Sequence, residues 1–130
     1  MNIVNTIHAI FLIPRARKHL LLIKKNLKIQ PYETLIKDVH MSRTQSEIQI
    51  LTIVKSYFWA ARTIKECRCL PRSIALYQYL KSAGFDVEHK FGVNKQDKKL
   101  AAHAWVECQH EPLNEPSDLK LKFRVLDKSQ

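Results

Sequence analysis

Gly84 separates two hydrophobic periods, and that change constrains the fold more than any other feature of the chain. Before it, apolar residues recur at steps of three and four, the spacing that lines one face of an α-helix. In residues 46–65, Leu51, Val54, Phe58 and Ala61 follow this rule, with Ile50, Ile53, Tyr57 and Ile64 beside them. Ser46 is the expected N-cap of that helix, with Glu47 in its first turn. A second helix is expected over residues 71–81. Pro71 suits its first turn, where a missing N–H costs nothing, and Gly84 suits the C′ position that ends it. After Gly84 the period drops to two. Phe85, Val87, His89 and Phe91 alternate with Asp86, Glu88 and Lys90, as in a half-buried strand. Helices first and strands afterwards predict an α+β fold with an antiparallel sheet.

The flanks fill in this layout. Residues 3–13 are apolar and predict a helix running up to Pro14. Residues 15–28 predict a basic helix with Leu20, Leu21, Ile23 and Leu27 along one side, ended or redirected by Pro31. It is expected either to pack on the domain with its lysines solvated, or to dock on a partner or an anionic membrane. Residues 32–45 read as a short helix and a polar connector, 94–99 as a charged turn, 100–108 as a second strand, 109–119 as a loop, and 120–126 as a third strand. The expected division is a basic helical segment over 1–45 and the main domain over 46–130.

At 130 residues the chain fits one domain. Two glycines, Gly84 and Gly92, are too few and too far apart for a glycine-rich phosphate loop or a dinucleotide-binding turn. The net charge is +10 and uneven: residues 1–45 carry eight basic and two acidic side chains. An anionic partner is favoured. The apolar run at 7–13 lacks the basic flank and cleavage site of a secretory signal, and no apolar run is long enough to span a bilayer. Cys67, Cys69 and Cys108 cannot all pair internally. A reduced, cytoplasmic protein is expected.

Three residues can be assembled into a nucleophile set. Cys69 falls where a helix begins, and amide N–H groups there stabilise a thiolate, the reactive form. The N–H of Cys69 can also serve an oxyanion. His103 falls on the second strand, between small residues that leave room for a helix end. Alternation puts His103, Trp105 and Glu107 on one face and Ala104, Val106 and Cys108 on the other. Glu115, in the following loop, is the carboxylate placed to orient the imidazole, with Asn114 beside it and Asp118 in reserve. Taken singly, each has a plainer role: a small buried thiol, a hydrogen-bonded core histidine, a solvated loop charge. A zinc site built from Cys67, Cys69, Cys108 and His110 is the rival, although one residue between ligands is shorter than structural zinc sites prefer.

Cys69-Leu70-Pro71-Arg72-Ser73, Ala102-His103-Ala104-Trp105-Val106-Glu107 and Pro112-Leu113-Asn114-Glu115, in this order, resemble the transglutaminase-like leader peptidases of lasso-peptide biosynthesis. The likeness covers about residues 46–126. It implies a papain- or transglutaminase-like core with Cys69 as nucleophile, His103 as base and, at the position where the family has Asp, Glu115 as third member. It implies the stand-alone form, since residues 1–45 show none of the strand alternation of a fused winged-helix leader-recognition domain. The implied partners are the precursor peptide, a separate leader-recognition protein and an asparagine-synthetase-like cyclase. No cofactor and no nucleic acid is implied. The alternatives are a basic non-enzymatic scaffold or nucleic-acid-binding domain with structural Cys and His, and a transglutaminase-like acyl transferase.

Overall fold

The computed structural model describes residues 3–94 and 102–126. Five helices and four strands are assigned there: α1 (Ile3–Asn26), α2 (Tyr32–Ile36), α3 (Ile50–Arg62), α4 (Cys69–Ser82), β1 (Val87–Asn94), β2 (Ala102–Cys108), β3 (Glu111–Pro112), α5 (Leu119–Lys122) and β4 (Phe123–Val125). The strands form one antiparallel sheet in the order β3-β2-β1-β4. The predicted α+β layout holds. The turn expected over 94–99 lies, apart from Asn94, outside the described residues, as do Leu100 and Ala101.

The core sits where α1, α3 and α4 meet the sheet. Leu12, Ala16, Leu20 and Ile23 form the inward stripe of α1, Ile53, Val54, Tyr57, Ala60 and Ala61 that of α3, and Ile74, Leu76 and Leu80 that of α4. Val87 and Val106 close it from the sheet. Each large side chain buried in this way stabilises the fold by about 1.5–3 kcal/mol. A half-buried relay ties the helices together. The Tyr57 hydroxyl donates to His19 Nδ1 at 2.6 Å, His19 Nε2–H donates to the Gln78 side-chain oxygen at 2.8 Å, and the Gln78 amide donates to the Leu35 carbonyl at 2.7 Å. Burial lowers the His19 pKa, against the hydrogen bond it donates to Gln78, so the neutral ring is favoured.

Four local expectations need correction. Pro14 does not end the first helix: α1 runs through it. Pro14 lies on the solvent side, where water can hydrate the Ile10 carbonyl that a proline nitrogen cannot serve. Ser46 does not cap α3, which begins at Ile50 with Gln49 as N-cap. The Ser46 hydroxyl instead accepts from the Ile48 N–H, and its own N–H donates to the Ala83 carbonyl at the end of α4. The inward stripe of α3 is rotated from the predicted one, leaving Leu51 exposed. Residues 120–126 are not one strand: Leu119–Lys122 makes a helical turn held by an Asp118–Lys122 ion pair at 3.2 Å, and only Phe123–Val125 joins the sheet. The alternation there was misleading because Leu121 faces solvent.

Gly84 ends α4 as expected, with φ +94°. The Phe85 N–H donates to Leu80 O and the Gly84 N–H to Lys81 O, the paired bonds of a Schellman cap. The sheet then starts at once, so helix and strand are tied by a rigid corner.

Candidate active site

The α4 N-terminus delivers the thiol. Glu66 adopts a left-handed conformation (φ +60°), turning the chain before Cys67, and Cys69 becomes the first residue of α4. Arg68, the N-cap, makes no side-chain cap bond, so no side chain of its own competes for the first amides of the helix. All three cysteines are free and partly buried.

β2 delivers the imidazole. As predicted, His103, Trp105 and Glu107 share a face: the His103 and Trp105 rings stack at 5.9 Å and 21°, and the Trp105 indole N–H donates to Glu107 Oε2 at 2.8 Å. Phe123 of β4 packs against both rings, 5.4 Å from His103 and 6.5 Å from Trp105. Gly92 pairs with His103 across the sheet, and its missing side chain makes room for these rings. A Cβ there would stand 3.0 Å from the Trp105 ring and 3.1 Å from Phe123 Cβ.

The carboxylate arrives by a hairpin the sequence did not predict. Gln109 and His110 both have positive φ (52° and 68°), as in a type I′ turn, and fold β3 back along β2 with Cys108 opposite Glu111 and Glu107 opposite Pro112. The Leu113 N–H donates to Val106 O at 2.9 Å, extending that register. Asn114 then turns in the left-handed region (φ +54°). Continued two steps beyond Leu113, the register sets Glu115 beside Ala104 and His103, which is why a spacing of twelve residues suits the pair.

Cys69, His103 and Glu115 are thus brought together. His103 Nε2 lies 2.9 Å from Glu115 Oε1, and the Glu115 side chain is only 5% exposed. A carboxylate only accepts, so Nε2 carries the hydrogen and Nδ1 is left for the thiol, to which His103 is hydrogen-bonded. Burial pushes the Cys69 thiol up. The hydrogen bonds from His103 and from the Ala104 N–H, with the charges of His103 and Arg72, outweigh it and leave Cys69 below its ordinary value. Hydrogen bonds to Cys69 and then to Glu115 push His103 up to about 9, against its own burial. Both shifts favour a thiolate–imidazolium pair. Burial raises Cys67 and Cys108 instead. Asp118 is held by Lys122 and does not enter the site.

Arg72 was not singled out from the sequence. It stacks on Phe58 at 4.0 Å and points Nη2 towards Glu115 Oε1 at 4.0 Å, placing a fixed cation beside both Glu115 and Cys69. The signal was present: Arg72 lies three residues after Cys69, on the same side of a helix. Among the described residues, no three His, Cys, Asp or Glu side chains converge as a metal site. Cys67, Cys69, Cys108 and His110 therefore do not assemble into the rival zinc cluster. Among the described residues, no helix is long and apolar enough to cross a membrane.

Searches of the curated proteins and of the solved structures found no significant match. The family model described as the transglutaminase-like superfamily matches residues 20–128, taking in the last two turns of α1, the Cys69 helix and the whole sheet. The chain belongs to the transglutaminase-like superfamily.

Proposed function

We propose that the chain is a cysteine peptidase that removes the leader from a ribosomally made precursor, in the manner of the stand-alone lasso-peptide leader peptidases. One observation carries this reading: a single imidazole is held between a buried carboxylate, 2.9 Å from Nε2, and a thiol whose pKa is lowered. The order and wording of the Cys-Leu-Pro-Arg-Ser and Ala-His-Ala-Trp-Val-Glu motifs support the finer assignment.

In this reading the Cys69 thiolate attacks the carbonyl carbon of the scissile peptide bond. The C–N bond breaks as His103 Nδ1–H protonates the leaving nitrogen, which becomes the N-terminal amine of the core peptide. Water, deprotonated by the now neutral His103, hydrolyses the thioester. The leader leaves with a carboxylate, and the thiolate and imidazolium are restored. Glu115 holds the ring in the tautomer and orientation both steps need. No cofactor enters. Closure of the ring on the freed amine, which consumes ATP, belongs to the separate cyclase, and delivery of the leader to the separate recognition protein. The cytoplasm, where the three thiols stay reduced, is the proposed location.

Precursor cleavage followed by mass spectrometry tests this. Cys69→Ala should abolish cleavage while leaving the circular dichroism spectrum unchanged. Full-rate processing by that variant would refute the assignment. A product carrying a new amide in place of a free leader carboxylate would make the chain an acyl transferase instead.

A further inference from the structure

Core packing does not account for the outer face of α1. Ile3, Ile7, Ile10 and Phe11 fall on the side opposite Leu12, Ala16, Leu20 and Ile23, and Ile10 and Phe11 are 61% and 72% exposed. The same stripe continues through Arg15, Lys18 and Lys25, with Leu21 and Leu22 between them. No acidic residue occurs before Glu33. α3 runs alongside in the same direction, tied by Asn5 to Gln49 and by Arg17 to Thr63. It adds Trp59, 57% exposed, with the Arg62 guanidinium over its ring at 5.7 Å. Trp59, Ala9 and Ile13 border a groove of about 200 Å³ between the two helices.

We propose that this face is a docking surface for an anionic lipid bilayer, on which α1 lies without crossing it. The assignment is independent of the catalytic reading. Isoleucine and phenylalanine together, a tryptophan at the margin, and lysine and arginine along the same stripe are what an interfacial helix needs: apolar area to enter the headgroup boundary and cations to hold the lipid phosphates. A 24-residue helix offers about 36 Å of such contact. Charge complementarity selects among occupants. A second copy would offer Arg15, Lys18 and Lys25 no counter-charge from its own α1, which has no acidic residue. A bilayer of acidic lipids accepts both halves of the stripe at once, and it suits the convex surface that a helix presents.

The full chain is mixed with vesicles of phosphatidylcholine alone and of phosphatidylcholine with phosphatidylglycerol, then sedimented. It should partition onto the anionic vesicles and not onto the neutral ones. Trp59 emission should shift to the blue while Trp105, 1% exposed, stays silent, so Trp59→Phe should lose the shift. Ile7→Glu with Phe11→Glu should remove binding. Arg15→Gln with Lys18→Gln should weaken it about 25-fold, about fivefold per cation. All four positions are exposed, and circular dichroism verifies the fold. Cys69→Ala should bind as well as the parent, so this proposal and the peptidase assignment fail separately. Absence from anionic vesicles, or equal binding to both kinds, overturns it. So does a dimer that Phe11→Glu splits, or lipid-free precursor cleavage that falls when Ile7 and Phe11 become Glu, because either result gives the face to a protein or peptide.

Discussion

Glu115→Gln tests the site where its geometry is most specific. The substitution keeps the volume and removes the charge from a side chain that is 5% exposed, with Oε1 2.9 Å from His103 Nε2. A hydrogen bond between charged groups contributes about 1.5–3 kcal/mol when shielded from water. If the imidazolium forms before or during attack, that energy leaves the transition state, and kcat/KM should fall roughly 10- to 150-fold at 1.36 kcal/mol per decade. A second readout needs no substrate. Alkylation of Cys69 by iodoacetamide, mapped by mass, has Cys67 and Cys108 as internal controls because burial raises both. In the parent, activity should rise with the Cys69 thiolate on the acid side and fall as His103 deprotonates near 9. With the carboxylate gone, the alkaline limb should move towards the ordinary histidine value of about 6.5. The linkage has a definite sign. A folded-state pKa above the unfolded one adds stability that is complete below about 6.5 and lost as pH rises through 9, so Glu115→Gln should lower Tm more at pH 6 than at pH 10. Glu115→Asp withdraws the carboxylate by about one C–C bond, ~1.5 Å, which breaks the contact unless the hairpin follows. An unchanged kcat/KM together with an unmoved alkaline limb in Glu115→Gln would refute the role given to this residue.

Three other substitutions probe the supports. Gly92→Val should cost about 1–3 kcal/mol by overpacking against Trp105, Phe123 and the Arg124 carbonyl, and should reduce activity by shifting the rings that hold His103, measured by Tm and kcat/KM together. His110→Gly should stabilise the protein by about 0.5–1 kcal/mol, since φ +68° strains a residue with a Cβ, and urea midpoints will show the gain. His19→Gln should flatten the loss of stability below pH 6.5: the neutral ring has a lowered pKa, so the parent binds the extra proton only on unfolding, and chemical denaturation at pH 7 and pH 5 compares the slopes.

What could be read from the sequence depended on whether local signals agreed with tertiary demands. The change of period at Gly84, the Schellman cap there and the placing of Cys69 at a helix start were legible, because cap chemistry and periodicity point the same way in each. The course of α1 through Pro14 was not, since a proline on the solvent face can be tolerated when the inward stripe continues past it. The hairpin at Gln109 and His110 was hidden because neither residue is the Asn or Gly that marks a type I′ turn; packing of Leu113 and pairing along β2 impose it. The twelve-residue interval from His103 to Glu115 was still informative, as it needs only that the chain reverse somewhere between them. The short β4 was misplaced because Lys120, Leu121 and Lys122 alternate without burying anything.

α1 joins the two halves of this reading. Lys24 Nζ donates to the Lys65 carbonyl at 2.6 Å, and Arg17 Nε donates to the Thr63 hydroxyl at 3.2 Å, both just before the Glu66 turn that leads into Cys69. The segment that positions the nucleophile is therefore braced from the side of the helix adjoining its inward stripe, while Ile7 and Phe11 on its outer side remain exposed. The superfamily match begins at residue 20, so it takes in Leu20, Ile23 and the Lys24 brace but not the apolar outer residues before Pro14. One helix thus carries a final stretch, from Leu20 on, shared with the superfamily domain and an earlier stretch whose exposed isoleucines and phenylalanine do nothing for the core. Bilayer contact along the outer stripe would leave the Lys24 and Arg17 braces in place, because both side chains turn to the chain just beyond α3, at Thr63 and Lys65, and not outward with Ile7 and Phe11.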